Sequence, residues 1–90
     1  MDGMTKVVLV DDDKTSILTL RTLLTTNFPN MDIVGTAYSV NEAVPLIDKV
    51  KPELVFLDIN MPDGEGFDVI ERVTFKEFRV IFITAFDKYA

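Results

Sequence analysis

The feature that most constrains the fold is an alternation of short apolar runs with longer segments of helical spacing. The apolar runs are of strand length, and β-branched residues dominate the first of them. Between the runs, apolar residues recur every three or four positions, as on the buried face of a helix. Strands are predicted over residues 6–10, 31–37, 54–58 and 79–84, the last of them as a buried strand, and helices over residues 14–27, 39–50 and 67–74. The order β-α-β-α-β-α-β predicts one α/β domain over residues 1–90, with a mainly parallel sheet and helices on both faces.

Composition and charge exclude several kinds of site. The chain has no cysteine and no histidine, so thiolate ligands, imidazole ligands and imidazole catalysis are excluded. Its formal net charge of −6 disfavours nucleic-acid phosphates, and we expect no direct nucleic-acid binding. No apolar run approaches the ~20 residues of a membrane helix, and residues 1–5 lack a signal-peptide pattern. We therefore expect a soluble, cytoplasmic domain with no membrane contact.

Three of the predicted strands end in side chains that carry oxygen: Asp11, Asp12 and Asp13 after the first, Asp58 after the third, and Thr84 after the fourth. In open parallel sheets, ligands bind at the carboxyl ends of the strands. Carboxylates ~4 Å apart repel by about 4 kcal/mol at an effective dielectric of ~20, so such a cluster needs a cation or raised pKa values. Oxygen-only ligands favour Mg²⁺. An aspartate neutralised by a metal can attack phosphorus and become an aspartyl-phosphate.

The remaining acidic residues have simpler structural interpretations. Asp13 is expected to cap the first helix, and Ser39 with Glu42 has the spacing of a capping box for the second. Asp63 and Glu65 are expected to be solvated loop charges. The residues interpreted as ordinary surface charges are Asp32, Glu42, Asp48, Glu71 and Glu77, and those interpreted as core are Phe56 and Phe82.

Three motifs together resemble a known family, the receiver domains of two-component response regulators (the CheY-like domains). The motifs are VLVDDD at residues 8–13, LDINMPDGEG at residues 57–66 and FITAF at residues 82–86. FITAFDKYA at the end of the chain is most similar to receivers attached to LytTR DNA-binding domains. The resemblance covers essentially the whole chain and implies a flavodoxin-like, doubly wound parallel sheet.

The resemblance assigns roles to individual residues. Asp58 is expected to be the phosphoacceptor, and Asp12 a direct Mg²⁺ ligand. Asp11 is expected to bind the ion directly or through water, and Asn60 through its backbone carbonyl. These roles make Mg²⁺ the expected cofactor.

Three further residues are expected to act on the phosphoryl group. The Thr84 hydroxyl would hydrogen-bond it, and the Ala85 amide would contact it. Phe86 occupies a position that tunes hydrolysis of the phosphoaspartate in the family, as does Asn60. Its bulk would hinder an attacking water.

The family pattern is longer than this chain. Residues 1–90 match its N-terminal two-thirds, without most of the fourth helix, the fifth strand with its lysine, or the fifth helix. The implied function is a receiver that takes a phosphoryl group from a sensor histidine kinase and controls an output domain outside this chain, of LytTR DNA-binding type. Such a module is not an enzyme, beyond weak Mg²⁺-dependent self-phosphorylation and autodephosphorylation.

Two alternatives remain open at the level of sequence. One is a signalling-inactive fragment that self-associates, as a homodimer or by domain swapping, through the exposed edge of the strand at residues 79–84. The other is a phosphatase of haloacid-dehalogenase type, which also phosphorylates an aspartate after a strand. That class requires a second aspartate two residues further on, where this chain has Asn60.

Overall fold

The structure, a computed structural model, describes residues 3–83. Its elements are β1 (Thr5–Val10), α1 (Lys14–Asn27), β2 (Met31–Ala37), α2 (Val40–Val50), β3 (Leu54–Asp58), β4 (Asn60–Met61), β5 (Gly64–Glu65), α3 (Gly66–Arg72) and β6 (Arg79–Ile83). The predicted elements are all found, with ends shifted by one or two residues, and the two-residue strands β4 and β5 are additional. Across residues 3–83, no helix has both the length and the apolar character needed to cross a bilayer.

The main sheet has the strand order β2-β1-β3-β6, and all three neighbouring pairs are parallel. The chain runs outward from β1 to β2 and then returns past β1 to form β3, so the strand order reverses between β1 and β3. Ligands bind at such a reversal point, outside the carboxyl ends of the strands. Val10 of β1 pairs with Leu57 of β3, which places the residues that follow them side by side at this point.

The sheet is covered on both faces by helices. Alternate residues of β1 and β3 pack with α2 and α3 on one face, and the intervening residues pack with α1 on the other. The first cluster includes Val8, Val10, Val55, Leu57, Ile47 and Val69. The second includes Val7, Leu9, Phe56, Ile17 and Leu24. The predicted flavodoxin-like, doubly wound α/β fold is confirmed.

The interpretation of residues 79–84 as a buried strand is wrong for the part of it that the structure describes. In residues 3–83, β6 lies at the edge of the sheet and has a neighbour only in β3. Ile81 is 47% exposed and Phe82 is 38% exposed, so Phe82 is not a core residue. Phe82 instead packs against Phe67 of α3, with 4.9 Å between the ring centroids. An apolar run does not distinguish a central strand from an edge strand, which is why the sequence misled here.

Candidate functional site

The three consecutive aspartates that follow β1 lie in different environments. Asp11 is buried, with 6% of its surface exposed, and its N–H donates to the carbonyl oxygen of Ala37 at 3.1 Å. Its Oδ1 accepts the Asp13 N–H at 2.9 Å. Asp12 is exposed. Asp13 caps α1 as predicted, because its Oδ1 accepts the Thr15 N–H at 2.9 Å.

Asp58, the last residue of β3, completes a group of three carboxylates with Asp11 and Asp12. One carboxylate oxygen from each residue lies within 4.8 Å of the others. The parallel register of β1 and β3 explains the proximity, because Val10 and Leu57 are paired and the chain leaves both strands at the same end. We call Asp11, Asp12 and Asp58 the aspartate cluster.

Burial and mutual repulsion perturb the protonation of the aspartate cluster. The pKa of Asp58 is raised from 3.8 to about 6, first by burial and then by the negative charge of Asp11. The pKa of Asp11 is also raised, chiefly by burial, although the Asp13 N–H that it accepts opposes this. Repulsion of this kind is relieved by a cation bound between the carboxylates.

The donor set fits a hard divalent cation such as Mg²⁺. The aspartate cluster offers only oxygen atoms, which are the ligands that Mg²⁺ prefers in proteins. Asn60 lies beside the cluster, since its N–H donates to Asp58 Oδ1 at 3.4 Å. The predicted phosphoryl contacts Thr84 and Ala85, and Phe86 with them, lie outside the described residues.

A close backbone approach fixes the start of α3 next to Asp58. The Gly66 N–H donates to the carbonyl oxygen of Ile59 at 2.8 Å. A β-carbon added to Gly66 would come within 2.6 Å of the Asp58 carbonyl oxygen, a distance that real β-carbons do not adopt. Glycine is therefore required at this position for α3 to begin directly against the end of β3.

Asp63 anchors the loop of residues 60–65 to the start of α2, a role that the sequence did not predict. Residues 60–65 fold into a short antiparallel ribbon, in which Asn60 pairs with Glu65 and the turn carries Asp63. The Asp63 carboxylate is not a free loop charge, because Oδ1 accepts the Val40 N–H and Oδ2 accepts the Asn41 N–H, both at 2.9 Å. No local pattern signals these bonds, since the donors lie 22 and 23 positions away along the chain.

Comparison with known proteins assigns this arrangement to a family. The family model described as the response regulator receiver domain matches residues 7–90. The chain belongs to the response regulator receiver family. Receivers are signalling domains of two-component systems rather than enzymes in the usual sense, and membership of this family excludes the haloacid-dehalogenase alternative.

Relatives of this receiver include two regulators of longer chain length. The transcriptional regulatory protein BtsR of Salmonella typhi is 37% identical over 89 residues, which are 97% of this chain and 36% of BtsR. The sensory transduction protein LytT of Enterococcus faecalis is 38% identical over 86 residues, which are 93% of this chain and 35% of LytT. These relatives confirm the predicted resemblance to LytTR-type response regulators. The receiver spans about a third of the length of the curated relatives it matches.

A solved structure agrees with the receiver fold. A chain of the CheX-CheY-BeF₃-Mg²⁺ complex from Borrelia burgdorferi superposes with a TM-score of 0.80 at 29% identity, covering 90% of this receiver and 62% of that chain. The self-association predicted through the edge strand stays a prediction.

Proposed function

We propose that this receiver accepts a phosphoryl group on Asp58 in a Mg²⁺-dependent reaction. The observation that carries the proposal is the aspartate cluster at the point where strand order reverses. Asp58 stands there beside Asp11 and Asp12, and its pKa is raised to about 6 by burial and by the charge of Asp11. A carboxylate in such surroundings is a functional-site candidate on physical grounds alone.

The reaction we propose is an in-line displacement at phosphorus. A carboxylate oxygen of Asp58 attacks, the new O–P bond forms, and the bond from phosphorus to the donor breaks. The donor keeps the electron pair of the broken bond; an imidazole nitrogen also takes up a proton, whereas acetyl phosphate releases acetate as the anion at neutral pH. For a phosphohistidine donor the leaving atom is an imidazole nitrogen, and for acetyl phosphate it is a carboxylate oxygen. Attack requires the ionised form of Asp58, so anything that lowers its pKa increases the reactive fraction at neutral pH.

The residues that would hold the cation are the aspartate cluster and the backbone carbonyl of Asn60. When bound, the cation neutralises the carboxylates and the charge that develops on the phosphoryl oxygens. Asp11 is held rigidly by its own hydrogen bonds to Ala37 and Asp13, which favours a preformed site. Thr84 and Ala85 are proposed to contact the phosphoryl oxygens.

The proposed partners follow from the family. The phosphoryl donor is a sensor histidine kinase, and the effector is an output domain of LytTR DNA-binding type in a longer protein. We assign DNA binding to that output domain, because this chain carries a net charge of −6. The proposed setting is the cytoplasm. The complex of CheX and CheY with BeF₃ and Mg²⁺ supports the choice of ion and of a phosphoryl-like ligand for a related fold.

Incubation with acetyl phosphate and Mg²⁺, followed by intact-mass measurement, tests the proposal. The expected result is a single phosphoryl adduct in the parent chain that disappears when EDTA is added beforehand. The Asp58→Asn variant is expected to show none. The Asp13→Asn variant is the matched control, because Asn is as good a helix cap as Asp and Asp13 lies outside the cluster.

Two results would overturn the proposal. An adduct that persists in Asp58→Asn would place the modification elsewhere. A folded parent chain that binds Mg²⁺ without forming any adduct would reject Asp58 as the phosphoacceptor of this chain.

A further inference from the structure

Asp63 satisfies the start of α2 from a distant loop. The first N–H groups of a helix have no acceptor within the helix and need partners from outside. In α2 the Val40 and Asn41 N–H groups each donate to a different oxygen of Asp63, both at 2.9 Å. The next N–H group of the helix, that of Glu42, donates to Ser39 Oγ at 3.1 Å. One carboxylate therefore holds two adjacent amides of α2.

The surroundings of Asp63 stabilise its negatively charged form. Its pKa is lowered by the hydrogen bonds from the Asn41 and Val40 N–H groups, and Arg72 acts in the same direction. Arg72 also reaches α2, since its Nη2 donates to Asn41 Oδ1 at 3.3 Å. A negative charge at a helix N-terminus is further favoured by the helix dipole. Asp63 is thus ionised and bound at neutral pH.

The antiparallel ribbon of residues 60–65 connects the contact between Asp63 and α2 to the aspartate cluster. Its far end begins at Asn60, whose N–H donates to Asp58 Oδ1, and its turn carries Asp63. An isolated hairpin of two residue pairs has little stability of its own, so its position depends on its anchors. Met61 is one anchor, because it is 92% buried against the core that includes α2, and Asp63 is the other.

We propose that Asp63 is a positioning residue for the phosphorylation site: by binding the first two amides of α2 it fixes the ribbon, and through the ribbon it fixes the Asn60 carbonyl beside Asp58. The proposal rests on the proposed function, because it assigns the Asn60 carbonyl to the cation. Coupling between two sites is reciprocal. Binding of Mg²⁺ at the aspartate cluster therefore stabilises the bonds from Val40 and Asn41 to Asp63.

The first test measures Mg²⁺ affinity in matched variants of the full chain. Asp63→Ala is expected to weaken Mg²⁺ binding about 10-fold, the scale found for residues that orient metal ligands. Asp63→Asn keeps one acceptor oxygen, so its loss of Mg²⁺ affinity is expected to be smaller than that of Asp63→Ala. Asp32→Ala removes an equal charge from an exposed position in β2 and is expected to leave Mg²⁺ affinity unchanged. A cap with only a structural role would lower stability and leave the Mg²⁺ affinity of the folded chain at the parental value.

The second test uses the parent chain, so it does not depend on the folding of any variant. Hydrogen exchange of the Val40 and Asn41 amides is expected to slow when Mg²⁺ is added. The Thr74 and Phe75 amides provide an internal reference, because they also donate to a carboxylate, Asp48 Oδ1, each at 2.9 Å. Equal slowing at both pairs would reflect general stabilisation and would overturn the coupling.

The outcomes separate the two proposals. If the parent binds Mg²⁺ and is phosphorylated, while Asp63→Ala matches Asp32→Ala in Mg²⁺ affinity, the positioning role is rejected and the proposed function stands. If the folded parent does not bind Mg²⁺ at all, the proposed function is rejected and the positioning role with it. If Asp63→Ala does not fold, selective slowing at Val40 and Asn41 supports the role and its absence rejects it.

Discussion

The Asp58 carbonyl oxygen and Gly66 are in direct contact, so that the end of β3 and the start of α3 leave no room for a side chain. A β-carbon on Gly66 would stand 2.6 Å from that oxygen. Because the neighbouring atom belongs to the backbone of Asp58 itself, it cannot move aside without displacing Asp58. This contact therefore links the packing of the fold to the geometry of the site.

Gly66→Ala is expected to destabilise the chain by about 1–3 kcal/mol, the usual cost of overpacking. Gly35→Ala is the matched control, because the atoms nearest to its β-carbon would belong to the side chain of Leu46, with Cδ1 at 2.9 Å, and not to the backbone. Its cost is expected to be below about 1 kcal/mol, since a side-chain end can rotate away. Urea unfolding measures both. A Gly66→Ala variant as stable as the parent would mean that α3 can shift along β3.

The stability of the metal-free chain is expected to fall as the pH rises from about 4 to above 6. Folding raises the pKa of Asp58 from 3.8 to about 6, so the folded chain holds this proton more tightly than the unfolded chain does. Ionisation of Asp58 therefore opposes folding. The penalty is absent below the unfolded pKa, grows through the window and is complete above about pH 6. Because Asp58 is partly exposed, solvent screens its charge, and the expected loss of folding stability is about 1 kcal/mol.

Thermal unfolding in EDTA, followed between about pH 4.5 and 7.5, measures this slope. Asp58→Asn is expected to remove the part of the slope that Asp58 contributes and to raise the stability at neutral pH, while Asp11, whose pKa is also raised by burial, accounts for the remaining slope. Asp63 does not interfere in this window. Its pKa is lowered, so its contribution is lost only as the pH falls below its unfolded value of 3.8. An Asp58→Asn variant that keeps the full slope would assign the titration to another group.

Mg²⁺ is expected to stabilise the folded chain at neutral pH by binding at the aspartate cluster. Mass action predicts about 1 kcal/mol when the free ion is about five times its dissociation constant. Asp12→Asn is expected to lose most of this gain, because the residue contributes an oxygen to the cluster. The neighbouring Asp13→Asn should keep it, because Asp13 caps α1 instead. Thermal unfolding with and without Mg²⁺ distinguishes them, and equal losses in both variants would count against a site built from Asp12.

Asp48→Ala is expected to destabilise the chain by about 1–3 kcal/mol, because it leaves two backbone donors without their acceptor. Asp48 Oδ1 accepts the Thr74 and Phe75 N–H groups, each at 2.9 Å, and so fixes the connection between α3 and β6. Both bonds end on the same oxygen, so Asp48→Asn should retain near-parental stability. Chemical denaturation compares the two variants. A destabilised Asp48→Asn would show that the charge matters more than the acceptor.

Much of the site was predictable, because it depends on the ends of strands. The β-branched and apolar runs located β1 and β3, and the rule that ligands bind at carboxyl ends brought Asp11, Asp12 and Asp58 together. The cap formed by Asp13 was predictable for a similar reason, since both partners lie within one helical turn.

The parts that were not predictable depend on contacts between distant residues. Asp63 and Asp48 were interpreted as ordinary charges, yet each accepts two backbone N–H groups more than 20 positions away. Hydrogen bonds between a side chain and the backbone of a distant segment leave no periodic pattern in the sequence. The exposure of Phe82 was also missed, because an apolar residue carries no information on whether its strand has one neighbour or two.

The neighbouring placement of β1 and β3 has a consequence for the newly made protein. Asp11 and Asp58 are separated by about half the chain. The elements α1, β2 and α2 lie between them in the sequence and must be made before β1 and β3 can pair. No segment that lacks either β1 or β3 contains both halves of the aspartate cluster. Under the proposed function, a phosphodonor therefore meets a complete acceptor only after the central strand pair has closed, so unfinished or misfolded copies do not consume the signal.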